Sequence, residues 1–409
     1  MPSCFLHAFR RFSRGLIVSL LCVACPLKAS ADTTLTQLNL TVQTVYQVLL
    51  GEIAFQQGDF ELAFAAWRSL ANRSKDPRAF QRAIEIALTA RHVGWALPAA
   101  REWAKQSPET PAAREALAKL LVSANHLAEA EEIYKTLVHD WPKNPHFRYV
   151  RAVLLLQLNK PAEAKTEFQQ TLAQPEANLD AAHFFLGQIE EMSGNKKPAL
   201  QHYRKVKNSP NWLDAQRRMA TLLIDMGHSQ KALSNLEKAL ARFPNHPDLL
   251  YQTALLSEQL GQLKNMETHL RHLLRLEPNN IHALNALGYS MADHQINLDE
   301  AQELVRAALT QKPDDPYIQD SMGWVLFRQG RLDEAHTLLA EAYQQKPDPE
   351  IAAHLGEVIW HLNGPEAAWE IWNAAQEISP QNPTLKATLK RFSPPASSTV
   401  KQGRNTKKP

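Results

Sequence analysis

SMGWVLFRQGRLDEA, residues Ser321–Ala335, is the stretch that decides the fold. It places a small residue, Gly323, twelve positions before a second small residue, Ala335. Two antiparallel helices can approach closely only where the side chains between them are small. The stretch therefore predicts a helix, a turn, and a second helix that packs against the first.

The same pattern recurs along the chain with a period of about 34 residues. Neighbouring copies of the first small residue lie 31 to 36 positions apart. Its ten positions are Gly51, Ala87, Ala118, Ala152, Gly187, Ala220, Ala254, Gly288, Gly323 and Gly356. A chance match of this kind in a non-repetitive helical domain would not keep fixed offsets over ten units.

Two further positions of each unit follow from the same packing argument. The second small residue recurs at Ala63, Ala99, Ala130, Ala164, Ala199, Ala232, Ala301, Ala335 and Ala368, and Met266 takes its place in the seventh unit. A bulky residue then fills the space beyond the close contact, at Trp67, Trp103, Tyr134, Phe168, Tyr203, Leu236, Leu270, Val305, Leu339 and Trp372. Proline is expected to stop the second helix, at Pro111, Pro142, Pro244, Pro278, Pro313, Pro347 and Pro380.

The pattern resembles the tetratricopeptide repeat family. The resemblance implies an all-α fold, a right-handed superhelical solenoid of about ten helix-turn-helix repeats over residues 44–384. An N-terminal lead-in at 32–43 would precede the solenoid, and a capping helix at 385–392 would shield its last apolar face. One extra residue near 294–297 predicts a longer turn inside the eighth repeat.

Residues 1–31 have the features of a secretory signal peptide. Three arginines precede an apolar run at 16–25, and Ala29-Ser30-Ala31 forms a small-residue cleavage site. Lipidation at Cys25 is the alternative, because Val23 and Ala24 resemble the end of a bacterial lipobox. The expected location is therefore the periplasm, with attachment to the outer membrane only if Cys25 carries a lipid.

All three cysteines, Cys4, Cys22 and Cys25, lie in that leader. The mature chain would have no thiol, which suits an oxidising compartment. The chain is 44% hydrophobic and 21% charged, as expected of a folded protein.

The net charge of +3 comes from the two ends of the chain. Residues 1–31 and the tail at 393–409 carry eight lysines and arginines and no acid, so the body between them is acidic. The tail is polar and basic and is expected to be disordered. Nucleic acid is a poor candidate partner, because its binding relies on a basic face.

Motifs for catalysis, metals and cofactors were not found. The sequence has no Gly-rich phosphate loop, nucleophile elbow or His-Glu-x-x-His motif. His269 and His272, three positions apart, and His354 and His361, seven apart, lack a carboxylate or cysteine set that would complete a zinc site. We therefore expect no enzyme activity, no catalytic residue, no metal and no cofactor.

In the tetratricopeptide fold the first helix of each repeat lines the concave surface, and five positions of that helix point into it. Counting from the small residue, those positions hold many aromatic side chains, which are favoured anchors of protein interfaces. The alternative is that individual aromatics pack between repeats. The predicted protein-binding residues are Tyr149, Phe184, Arg217, Tyr251, His282, Asn285, Tyr289, Tyr317, Asp320, Trp324, Phe327, Arg328, Glu357 and Trp360.

The chain also resembles one subgroup of the family, the outer-membrane tetratricopeptide lipoproteins that bind a periplasmic carboxyl-terminal processing protease. The similarity is carried by YQVLLGEIA at 46–54, DPR at 76–78, RAIEIA at 82–87, ALGY at 286–289, DSMGW at 320–324 and AHLGEV at 353–358. It implies an adaptor that holds the protease and its substrates, cell-wall hydrolases in that family. A scaffold for an envelope secretion, polysaccharide-export or pilus complex is the alternative, and the oligomeric state is left open.

Overall fold

The computed structural model describes residues 41–174 and 179–392. All regular structure in these two ranges is helical, and they contain no strand. The helices are α1 Val42–Gln56, α2 Phe60–Ser74, α3 Pro77–Thr89, α4 Val93–Gln106, α5 Pro111–Ser123, α6 Leu127–Asp140, α7 Pro145–Gln157, α8 Pro161–Leu172, α9 Leu179–Met192, α10 Lys196–Tyr203, α11 Trp212–Asp225, α12 Ser229–Arg242, α13 Pro247–Gln259, α14 Leu263–Leu276, α15 Ile281–Asp293, α16 Leu298–Gln311, α17 Pro316–Arg328, α18 Leu332–Gln345, α19 Pro349–Asn363, α20 Pro365–Ile378 and α21 Pro383–Arg391.

The helices pair as the repeat pattern predicts. The odd-numbered helices α1 to α19 are the first helices of ten repeats, the even-numbered helices α2 to α20 are the second, and α21 stands alone at the end. The described residues up to Ala215 form one compact unit, and those from Gln216 form a second. We call them the N-terminal and C-terminal units; the division falls within α11. Within α1–α10 and within α12–α21 each helix packs against the next, which confirms the all-α helix-turn-helix architecture.

The small and bulky positions meet where the sequence predicts. A Cβ atom added to Gly323 would lie 2.5 Å from Leu339 Cγ, and one added to Gly356 would lie 2.0 Å from Trp372 Nε1. No real Cβ tolerates such distances, so the bulky side chain of the second helix occupies the space over the glycine. The second small residues, from Ala63 to Ala368, are fully buried. Met266, which replaces one of them, is also buried.

Proline acts at both ends of the repeat. Six of the seven prolines expected to stop a second helix lie two residues beyond its last residue, as Pro142 does after Asp140. The prediction that Pro111 stops a second helix is wrong, because Pro111 is the first residue of α5 and begins a helix. Proline is tolerated there since the first N–H groups of a helix have no intrahelical partner.

The helix ends differ slightly from the predicted boundaries. Helix α1 begins at Val42, inside the predicted lead-in, and α21 begins at Pro383, two residues before the predicted capping helix. The Asn382 side chain accepts a hydrogen bond from Leu385 N and so caps α21 earlier than expected. The turn at 294–297 has four residues, one more than the other turns inside a repeat up to the ninth, which confirms the predicted insertion.

Several predictions fall outside the described residues. These are the signal peptide at 1–31, the lipidation site at Cys25, most of the lead-in at 32–43 and the tail at 393–409. In the ranges that the structure covers, the helices are too short or too polar to cross a bilayer.

Candidate functional site

A cavity of about 810 Å³ opens in the C-terminal unit. Its lining comes from the first helices of the sixth to tenth repeats, from the residue after α15, and from α21. The second helices contribute no lining residue. The lining consists of Thr221, Ile224, Asp225, Leu255, Glu258, Gln259, Tyr289, Asp293, His294, Trp324, His354, Glu357, Pro383, Thr384, Ala387, Thr388 and Arg391.

Three consecutive repeats build the floor of the cavity around His354. The His354 ring stacks on Trp324 with ring centroids 4.2 Å apart. Its Nδ1 donates to the carboxylate of Asp320, 2.9 Å away, and its Nε2 lies 3.4 Å from the Tyr289 hydroxyl. Trp324 Nε1 in turn donates to Asp293 at 3.2 Å. The floor is therefore held by hydrogen bonds between side chains that are far apart in sequence.

The electrostatic surroundings of His354 are acidic. Burial alone would lower the pKa of this imidazole, because it disfavours the charged form. The carboxylate of Asp320, followed by those of Glu357 and Asp293, outweighs burial, so the pKa of His354 is raised above its ordinary value of 6.5. The cavity floor therefore favours a positively charged imidazolium.

Carboxylates dominate the charged groups of the lining. The lining contains four carboxylates and one arginine, Arg391; the acids are Asp225, Glu258, Asp293 and Glu357. Arg391 forms an ion pair with Glu357, which is 3% exposed. Burial raises the pKa of Glu258 above its ordinary value of 4.5. The cavity thus combines an aromatic floor with an acidic wall.

Three of the predicted binding residues line this cavity, namely Tyr289, Trp324 and Glu357. Two more act just behind it. Asp320 is buried beneath His354, and the Arg328 guanidinium lies 4.5 Å from the centroid of the Trp324 ring and 3.6 Å from an Asp293 oxygen. The structure therefore brings together five of the fourteen predicted residues.

The other predicted residues of the C-terminal unit are placed elsewhere. Phe327 and Trp360 pack against other rings, Phe327 against Trp324 behind the cavity and against His361, and Trp360 against Trp372 and Phe392. Asn285 is 9% exposed, so it is part of the core. The remaining four make polar or ring contacts with neighbouring repeats: Arg217 with Asp248, Tyr251 with His282, and Tyr317 with Asp348.

The two predicted residues of the N-terminal unit pack within it. Phe184 is 4% exposed and contacts the Tyr203 ring of its own repeat. Tyr149 is half-buried between Phe168 and Phe185, so it joins two repeats. Tyr149 thus matches the alternative that individual aromatics pack between repeats, whereas Phe184 packs within its own repeat.

Sequence reasoning missed several cavity residues. Asp225, Glu258 and Asp293 lie four or five residues after the small residue of their helix, at two of the positions used for the prediction, so the same criterion could have found them. His354 lies at a position that the criterion does not include. Arg391 belongs to α21, beyond the last repeat, and no repeat position could point to it.

The structure contains no group of three or more metal-ligating side chains within the ranges it describes. The lining residues offer carboxylates, aromatic rings, threonine hydroxyls and two imidazoles, all of which can bind a polar ligand.

Comparison with known families agrees with the repeat architecture. Two sequence models of the family described as "Tetratricopeptide repeat" match the chain, one over residues 286–358 and the other over 82–145, 149–211 and 217–265. Together these segments cover more than half of the chain. The protein belongs to the tetratricopeptide repeat family.

One curated relative is the TPR repeat-containing protein PA4667 of Pseudomonas aeruginosa, which is 34% identical over 44% of this chain. The match spans only 36% of that relative, about a third of its length. Among solved structures, a tetratricopeptide repeat protein from Parabacteroides merdae is 18% identical, with 60% of this chain and 97% of that chain covered and a TM-score of 0.48. A thermophilic TPR protein of Thermus thermophilus is 22% identical, with 43% and 95% covered and a TM-score of 0.39.

Proposed function

We propose that this protein is a non-catalytic adaptor of the bacterial envelope that brings a carboxyl-terminal processing protease to cell-wall hydrolase substrates. The observation that carries the binding role is the cavity built from first helices, with Tyr289 and Trp324 in its floor. Aromatic side chains in a concave site bury a large area at little cost in side-chain entropy, which is typical of interface anchors.

A second surface supports a role that needs two partners. Helix α1 carries an exposed apolar stripe with the spacing of one helical face. Its members are Val42, Val45, Tyr46, Leu49 and Ile53, each more than 40% exposed. Exposed apolar patches of this kind mark interaction sites. An adaptor that holds protease and substrate at once raises the effective concentration of one near the other without any chemistry of its own.

The choice of partners rests on the sequence similarity to the protease-binding subgroup. Three of the motifs that carry this similarity contribute residues to the cavity or next to it. The motif ALGY contributes Tyr289, DSMGW contributes Asp320 and Trp324, and AHLGEV contributes His354 and Glu357. Four of these five residues line the cavity, and Asp320 lies behind it as the hydrogen-bond partner of His354. Export to the periplasm, which the leader predicts, would place the protein in the compartment of such a protease.

Affinity capture from cells tests this proposal. The tagged full chain is crosslinked in its host and recovered, and bound proteins are identified by mass spectrometry. We expect a carboxyl-terminal processing protease together with cell-wall hydrolases. Recovery of secretion, polysaccharide-export or pilus components in their place would contradict the adaptor role. Mass spectrometry of the mature N-terminus would distinguish cleavage before Asp32 from lipidation of Cys25.

A further inference from the structure

We infer that the cavity of the C-terminal unit receives a lysine- or arginine-bearing segment of a partner protein, bound with its cationic groups against Asp225, Glu258 and Asp293. This inference rests on the proposed function and specifies the chemistry of the partner. It is carried by the position of the three carboxylates, by the aromatic floor and by the dimensions of the cavity.

The three carboxylates lie at unusual places on their helices. Asp225 and Asp293 are the last residues of α11 and α15, and Glu258 is the last but one of α13. The C-terminal end of a helix carries a partial negative charge, so acidic side chains are disfavoured there and cations are favoured. In three consecutive repeats, therefore, a carboxylate and the partially negative C-terminal end of its helix lie at the same cavity.

Acidic side chains outnumber basic ones in the lining, which has four carboxylates, one arginine and two histidines. Arg328 lies 3.6 Å from Asp293, and Arg391 is paired with Glu357 on another part of the lining. Glu258 is partly buried, and burial raises its pKa above the ordinary value of 4.5. Removing a carboxylate from water is costly, and an incoming ammonium or guanidinium group would lower that cost.

The floor suits the rest of a basic side chain. Tyr289 and Trp324 offer ring surface next to the carboxylates. The aliphatic stems of lysine and arginine pack well on such surface, and a cation over an indole ring gains further stabilisation. The volume of about 810 Å³ lies in the range of sites for small ligands and excludes a folded domain, so the occupant is a short segment of chain.

Peptide binding to the full chain tests the inference. Two fluorescent peptides with blocked ends and no terminal charge are compared, one with lysines at two positions of an alanine-rich sequence and one with glutamates at the same positions. We expect the lysine peptide to bind at concentrations up to about 1 mM, with an affinity that falls as salt is added. The glutamate peptide should not bind. Equal binding of both, or of neither, would overturn the inference.

A charge-removing variant locates the site. Glu258→Gln keeps the shape of the side chain and removes its charge, and we expect about a tenfold weaker affinity for the lysine peptide. Glu237→Gln is the matched control, because Glu237 is exposed on the second helix α12, away from the cavity lining. An equal loss in both variants, or no loss in Glu258→Gln, would contradict binding at this wall.

Deletion of residues 393–409 tests whether the occupant comes from the chain itself, since that tail carries four basic residues and no acid. Unchanged affinity for the lysine peptide supports a partner segment. A tenfold gain would identify the tail as the occupant and overturn the assignment. Affinity capture with the Glu258→Gln variant separates the two proposals. If this variant recovers the protease and the hydrolases at the normal level, the adaptor role is supported and the basic-segment inference is wrong.

Discussion

His354 illustrates how strongly one side chain depends on residues from other repeats. It is 4% exposed, yet it carries a protonatable ring that contacts Asp320 one repeat earlier and Tyr289 two repeats earlier. Buried polar groups of this kind are stabilising only when their partners are in place. The hydrogen bonds of the cavity floor are thus conditional on correct stacking of three repeats.

The raised pKa of His354 predicts a pH-dependent contribution to stability. A group whose pKa is higher in the folded than in the unfolded protein stabilises the fold fully below its ordinary value of 6.5, and this stabilisation is lost as the pH rises through the folded value. We therefore expect the stability difference between the wild type and His354→Gln to shrink as the pH rises above 6.5. Thermal unfolding of both proteins at a series of pH values measures this difference.

Other histidines make the comparison with a variant necessary. Burial lowers the pKa of His183 to about 4, so its contribution changes with pH in the opposite sense. These groups cancel in the difference between wild type and variant. Asp320→Asn tests the cause, because it removes the carboxylate that raises the pKa of His354 most. In the Asp320→Asn background, the pH dependence of the effect of His354→Gln should be smaller. A difference that stays constant with pH, or grows as the pH rises, would refute the assigned role of Asp320.

At the scale of the helix pair, the close contact between first and second helices decides stability. Gly356→Ala improves helix propensity by about 1 kcal/mol, but its new methyl group would overlap the Trp372 indole. We expect a net loss of about 1–3 kcal/mol, since overpacking forces strained side chains. Asn363→Ala, an exposed change on the same helix, is the control and should stay within about 0.5 kcal/mol. A stabilised Gly356→Ala variant in thermal melts followed by circular dichroism would contradict this packing.

A buried ion network joins three helices of the N-terminal unit. Arg151 of α7 contacts Glu131 of α6 at 2.8 Å and Glu167 of α8 at 2.7 Å, and all three side chains are at least 85% buried. Arg151→Ala would leave two carboxylates without this partner, although Arg148 still contacts Glu167. We expect a loss of about 3 kcal/mol.

The exposed pair Arg101–Glu129 provides the matched control for that network. Both of its side chains are more than 40% exposed, so Arg101→Ala should cost at most about 1 kcal/mol. Urea unfolding of both variants measures the two losses. Similar losses would show that burial does not distinguish the two ion pairs.

The pairing of helices could be predicted from the sequence because it depends on fixed offsets. Gly323 and Leu339 are sixteen residues apart, and their contact follows from the lengths of two helices and one turn. The acidic wall was missed, although its residues lie at repeat positions that the prediction used. Asp225, Glu258 and Asp293 belong to three repeats, and each alone resembles an ordinary exposed helix charge until stacking places them around one cavity.

The binding residues were predicted unevenly for the same reason. The family positions led to Tyr289, Trp324 and Glu357, but they also selected Phe184, which packs into its own repeat. Whether an aromatic residue of a first helix faces a cavity or a neighbouring helix depends on the size of residues in the adjacent repeat. The role of His354 depends on Asp320, 34 residues earlier, which a reading of single repeats does not connect.

At the scale of the whole molecule, the described chain offers two surfaces of different chemistry. The N-terminal unit exposes the apolar stripe of α1, and the C-terminal unit contains the acidic, aromatic cavity. The double change Tyr46→Ser and Leu49→Ser affects only the stripe. It should therefore weaken the binding of one partner by about tenfold and leave the binding of the other unchanged. Quantified affinity capture measures this; equal loss of all partners would contradict separate surfaces.

Site-specific photo-crosslinking tests whether another protein occupies the cavity of the C-terminal unit. A photoreactive amino acid replaces Ala387, an exposed residue of the cavity lining, or Glu237, an exposed residue of a second helix. After irradiation in cells, we expect a crosslinked partner from position 387 and none from position 237. Crosslinks from position 237 alone would contradict binding of a partner in the cavity.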